Sequence, residues 1–135
     1  MLKFAIAYAA AAAVFLVADG FWLGLVAKSF YRNAIGPMMA EQVNVAAAAV
    51  FYLLYIVGVV VFAVSPAFET GSWRTALVFG ALFGLFAYAT YDLTNLATLR
   101  DWPLRFAVVD LAWGTFVTAL AAVAGYSAAC LFHPL

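Results

Sequence analysis

The chain has 135 residues, 70% of them hydrophobic and 9% charged, with six basic and six acidic side chains and a formal net charge of zero. A soluble domain carries roughly 45–50% apolar and about 25% charged residues, so the apolar excess must face lipid rather than water. The lack of a basic tract gives no support for nucleic-acid binding. One cysteine, Cys130, and one histidine, His133, exclude an internal disulfide and multi-histidine or cysteine-based metal sites, and no cofactor is expected.

Lys3 opens an apolar run over 4–27 that only Asp19 interrupts. Its 24 residues would extend about 36 Å as a helix, longer than a signal-peptide core, so an uncleaved first span is expected. Residues 28–37 mix charge, aromatics and turn formers and read as an interfacial loop, with Pro37 in the first turn of the next helix and Glu41 near its positive end. A second span over 43–64 is expected to stop at Ser65-Pro66, followed by a short polar connection. A third span covers 74–99, a tight connection follows at 100–103, and a long fourth span covers 104–132. Nothing alternates as a membrane β-barrel strand does. The expected fold is all-α: a polytopic membrane protein with four transmembrane helices in one bundle, forming a single transmembrane domain over 1–135.

Lys28, Arg32, Arg100 and Arg105 flank one side, against Lys3 and Arg74 on the other. This imbalance puts the first and third connections in the cytoplasm and both termini outside. Small residues recur at four-residue spacing (Gly20 and Gly24; Gly80 and Gly84; Ala121, Gly125 and Ala129). Such stripes let helices approach closely, within the chain or in a homodimer.

The informative residues are Asp19, Asp92 and Asp110, each inside an apolar span. An ionised carboxylate there costs at least about 2.5–3.5 kcal/mol, so such acids turn towards a bundle interior and seek partners. Counted from the same edge, all three fall about 9–12 Å deep, in one layer. Trp22 follows Asp19 by three residues and Trp113 follows Asp110 by three, so each pair shares a helix face. Asn95 follows Asp92 by three residues and Tyr88 precedes it by four, with Thr90, Tyr91 and Thr94 adding hydroxyls nearby. Asn95 and Tyr91 are the expected hydrogen-bonding partners of the acid site, while Arg100 and Arg105 are long enough to snorkel inwards. Two structural alternatives stand beside this: Asp92-Leu-Thr-Asn95 as a helix break or cap, and Asp19 and Asp110 as acids satisfied by tryptophan indoles. A weak echo, basic residues following both Asp19 and Asp92 at similar distances, suggests two parallel two-helix halves.

Asp19-Gly-Phe-Trp22-Leu-Gly24, the segment from Tyr91 to Pro103, and Asp110-Leu-Ala-Trp113-Gly114-Thr115 together resemble a family of small bacterial predicted membrane proteins known only as a domain of unknown function. The resemblance covers nearly the whole chain and implies a bacterial inner-membrane location, with no established activity. The expectation is a small transport or binding protein whose polar site comprises Asp19, Asp92, Asp110, Asn95, Tyr91, Trp22 and Trp113, with proton coupling through clustered acids. Its partners would be the lipid bilayer and, through the small-residue faces, a second copy. The rival is an intramembrane enzyme, or an accessory subunit docked on a larger membrane partner, acting in membrane-lipid modification, with the acids as general acid and base or as metal ligands.

Overall fold

The structure, a computed structural model, describes residues 1–134. The described residues are helical and turn segments with no strand. Four helices are long and apolar enough to cross a membrane: α1 (Leu2–Val26), α3 (Val45–Thr70), α4 (Trp73–Thr98) and α5 (Leu104–Phe132). A short helix, α2 (Lys28–Ile35), lies between the first two.

The expected interfacial loop is therefore largely helical. Its apolar side chains Phe30, Tyr31, Ala34 and Ile35 pack on Trp102, Phe106 and Ala107, which gives a short amphipathic segment a face to bury. Pro37 sits in a separate 3₁₀ turn, Gly36–Met38. Helix α3 starts later than expected: Asn44 caps it by accepting from the Ala47 amide at 3.0 Å. Glu41 lies ahead of that cap, outside the first turn.

Pro66 does not end the second span. A π-helical turn at Val60–Val64 precedes it, and Pro66 falls in the first turn of the following α-helical segment, Ser65–Thr70. There its missing N–H costs no ladder hydrogen bond. The span stops instead at Gly71, whose φ of 63° makes a left-handed cap that glycine adopts without steric cost. Helix α4 runs unbroken through Asp92 and Asn95 to Thr98, so Asp92 is an interior helix residue and not a cap.

Helix α5 is the spine. It packs most extensively on α4 and next on α1, whereas α1 and α3 touch only lightly. The two pairs suggested by the sequence echo are thus not equivalent in packing. Small residues explain the closeness. A Cβ added at Gly80 would lie 2.7 Å from Ala122 Cβ, and one at Gly125 would lie 2.8 Å from the Ala7 carbonyl oxygen. One at Gly84 would strike Thr118 Cβ at 2.7 Å as well as the Gly114 carbonyl. Gly20 and Gly24 are different: both are exposed, and a Cβ added at either would meet no atom within 4 Å among the described residues beyond its own stretch of helix.

Away from the acids the core is apolar except for Thr118, whose buried hydroxyl shares a hydrogen bond with that of Tyr55 at 2.7 Å. Ala7, Ala11, Phe15, Val59, Ala63 and Ala121 are wholly buried there. The acid-bearing end is built from the last turns of α1 and α4, the first turns of α5, and α2, with a separate aromatic cluster around Trp102 and Phe106.

Candidate functional site: an acid layer inside the bundle

All three expected acids are buried, with relative exposures of 7% for Asp19, 0% for Asp92 and 6% for Asp110. A carboxyl this deep needs donors, and the chain supplies them unequally.

Asp19 is filled on both oxygens. Tyr52, from α3, donates to Oδ2 at 2.5 Å, and the Trp113 indole, from α5, donates to Oδ1 at 3.1 Å. Asp110 is filled on one. The Tyr31 hydroxyl, from α2, donates to Oδ1 and itself accepts from the Trp22 indole at 3.2 Å. Burial first, and the contact with Asp110 second, push the Tyr31 hydroxyl above its ordinary pKa, so Tyr31 keeps the proton it donates.

The tryptophans cross over. Trp113 shares a helix with Asp110 but serves Asp19; Trp22 shares a helix with Asp19 but serves Asp110 through Tyr31. Their rings stack between the two helices, with centroids 4.5 Å apart and planes 6° from parallel. Each indole covers the apolar gap with its body; the Trp113 N–H reaches Asp19 directly, and the Trp22 N–H reaches the Tyr31 hydroxyl that serves Asp110.

Asp92 neighbours Asp110 yet has no hydrogen-bond partner on either carboxyl oxygen, and the Trp102 indole N–H is likewise buried and unpartnered. Asp19, Asp110 and Asp92 thus form a series, from two donors to one to none.

The other expected residues fall elsewhere. Asn95 is half-buried, and neither it nor Tyr91 hydrogen-bonds an acid among the described residues. Tyr91 is 51% exposed, with its ring edge-on to Trp102 at 5.7 Å. Thr90 and Thr94 turn their hydroxyls back onto their own helix, to the carbonyls of Phe86 and Thr90. Arg100 and Arg105 do not snorkel inwards: both are exposed, and the Arg105 guanidinium lies over the Phe30 ring at 5.9 Å. Among the described residues no basic side chain ion-pairs with any of the three acids. No three His, Cys, Asp or Glu side chains among them converge closely enough to hold a metal ion.

Tyr31 and Tyr52 are the partners that sequence reasoning missed. A signal was available for Tyr52. A tyrosine in mid-span has a polar tip that lipid cannot satisfy, so it implies a partner inside the bundle.

Beside the acids lies a cavity of about 330 Å³, lined by Phe51 and Tyr55 from α3, Ala87, Tyr88 and Tyr91 from α4, and Asp110 from α5.

The family described as "Predicted membrane protein (DUF2177)" matches residues 4–127. The chain belongs to this family. The match spans all three acids, both crossing tryptophans and both tyrosine donors, so the whole layer lies within the family's extent. No curated protein and no solved structure matches the chain.

Proposed function

We propose that this membrane protein is a small transport or binding protein whose intramembrane site, centred on Asp92 and Asp110, takes up and releases a proton or another cation. The single observation that carries this is Asp92: wholly buried, beside a second acid, and without a hydrogen-bond donor. Two carboxylates side by side in an apolar interior repel each other, and only a proton or cation between them relieves the cost. Among the described residues no lysine or arginine ion-pairs in the layer, which leaves that compensation to come from outside the chain.

In this proposal Asp19, held by Tyr52 and Trp113, anchors the layer, and the Trp22–Trp113 stack fixes the spacing of α1 and α5. Tyr91 lines the approach, and Asn95 lies one turn beyond Asp92 as a polar neighbour. The site opens near the cytoplasmic edge of a bacterial inner membrane, with both termini outside.

The test is proton flux in proteoliposomes carrying a trapped pH-sensitive dye, after an imposed pH step. The unsubstituted chain is expected to dissipate the gradient. Asp92→Asn and Asp110→Asn should slow this by about tenfold or more while remaining inserted and helical, and Asp19→Asn should slow it less. Undiminished flux in all three variants would refute the proposal. Altered membrane lipids in cells lacking the protein, with no flux, would favour the enzymatic or accessory role in lipid modification.

A further inference from the structure

The cavity beside the acids has a wall composition that narrows what it takes. Four of its six lining residues are aromatic: Phe51, Tyr55, Tyr88 and Tyr91. The rings form a continuous wall, with Phe51 and Tyr55 stacked at 5.3 Å and Tyr55 edge-on to Tyr88 at 6.4 Å. The charged member is Asp110. Its Oδ1 is occupied by Tyr31, while no donor among the described residues reaches its other carboxyl oxygen. Just behind it stands Asp92, buried and without a donor. Aromatic faces around a carboxylate attract a bulky, weakly hydrated cation, since each ring face offers negative quadrupole and the acid offers charge.

The cavity also has a direction of entry. It lies between two spans, and its outer lining residues Phe51 and Tyr91 are 48% and 51% exposed on the outside of the bundle. The residues around them on the same helices are exposed and apolar too, Leu54 at 67% and Leu93 at 51%. Helices α3 and α4 meet chiefly along the later turns of α3, the Val60–Val64 segment and beyond, so they part towards the acid-bearing end. The opening therefore faces acyl chains.

We infer that this lateral opening admits a lipophilic organic cation from the bilayer, of the quaternary ammonium or phosphonium class, and seats its charge between Asp110 and the rings of Tyr55, Tyr88 and Tyr91. This deepens the proposed function and rests on it, because it names the substrate class of the same acid site. A cation that partitions into lipid reaches the acid layer without crossing a polar vestibule. Its charge supplies what the acids lack within the chain, and its hydrocarbon groups meet the aromatic wall.

The probe is tetraphenylphosphonium, titrated by calorimetry against the full chain in detergent, with neutral triphenylphosphine oxide as its uncharged counterpart. Saturable binding of the cation and none of the neutral compound is expected. Asp110→Asn should weaken binding by about tenfold or more, and Tyr91→Leu by several-fold, with Tyr91→Phe close to the unsubstituted chain because the ring face is kept. Glu69→Gln, in the last turn of α3 at the other end of the bundle, should bind as the unsubstituted chain does. Tyr91 is half-exposed, so its pair of variants remains informative even if Asp110→Asn fails to fold. Equal affinity in Asp110→Asn, or equal loss in Tyr91→Phe and Tyr91→Leu, would overturn the inference. Proton flux in proteoliposomes without cation binding would sink the lipophilic-cation inference and leave the proton site standing; absence of both would sink the two together.

Discussion

The two ends of the bundle solve the same packing problem with opposite chemistry. At one end, small residues bring α1, α4 and α5 so close that Gly80, Gly84 and Gly125 have no room for a Cβ, and the core there is apolar but for Thr118, whose hydroxyl bonds that of Tyr55 at 2.7 Å. At the other end the helices are held by aromatic rings and acids, donors and acceptors do not balance, and a cavity remains. In lipid, association draws on van der Waals packing and interhelical hydrogen bonds, since tails solvate apolar side chains as well as helices do. The close-packed end uses chiefly the first of these forces, with the Tyr55–Thr118 hydroxyl pair as its buried hydrogen bond, and leaves no orphan among the described residues. The acid end uses the second, and in Asp92 retains an expense that packing alone would remove. Close packing dominates one end, and the proposed binding site lies at the other.

Substitutions that exchange the two kinds of packing test that division. Gly84→Val should have the largest effect. Its side chain would press on the Gly114 backbone and Thr118, costing about 1–3 kcal/mol or more, read as a lower midpoint of thermal unfolding in detergent. A tolerated valine would mean that α4 and α5 are not locked there. Asp92→Asn should act in the other direction. It removes a buried carboxyl that lacks a donor, so the unfolding midpoint should hold or rise, by about 1 kcal/mol in stability. A clear destabilisation would mean that Asp92 is a structural acid. Gly20→Ala should have the smallest effect, within about 0.5 kcal/mol, because nothing surrounds that position. If the same substitution weakens self-association in cross-linking experiments, the open Gly20–Gly24 face is where two copies meet.

That the chain forms four membrane-length helices was legible because hydropathy and length dominate in lipid, and neither depends on what the helices touch. The burial of the acids was legible too, because a carboxyl inside an apolar span has to turn towards the bundle interior. What escaped was local accommodation and long-range pairing. Pro66 reads as a stop, but the preceding π-helical turn shifts the ladder so that the proline falls where its missing N–H is harmless. Residues 28–35 read as a loop because an amphipathic helix this short takes its stability from a surface that local sequence does not reveal, here Trp102 and Phe106. The donors to the acids come from 33 residues away in the case of Tyr52 and 79 in the case of Tyr31. Near neighbours such as Asn95 and Thr94 drew attention first, but Thr94 satisfies itself on its own helix.

The claim that the acid end exists to exchange a positive charge is tested most directly by infrared difference spectroscopy of the reconstituted chain as pH is stepped. A carboxyl band that responds to the step, and that is missing from both Asp92→Asn and Asp110→Asn, is the predicted result. Identical difference spectra for the unsubstituted chain and the two variants would contradict it.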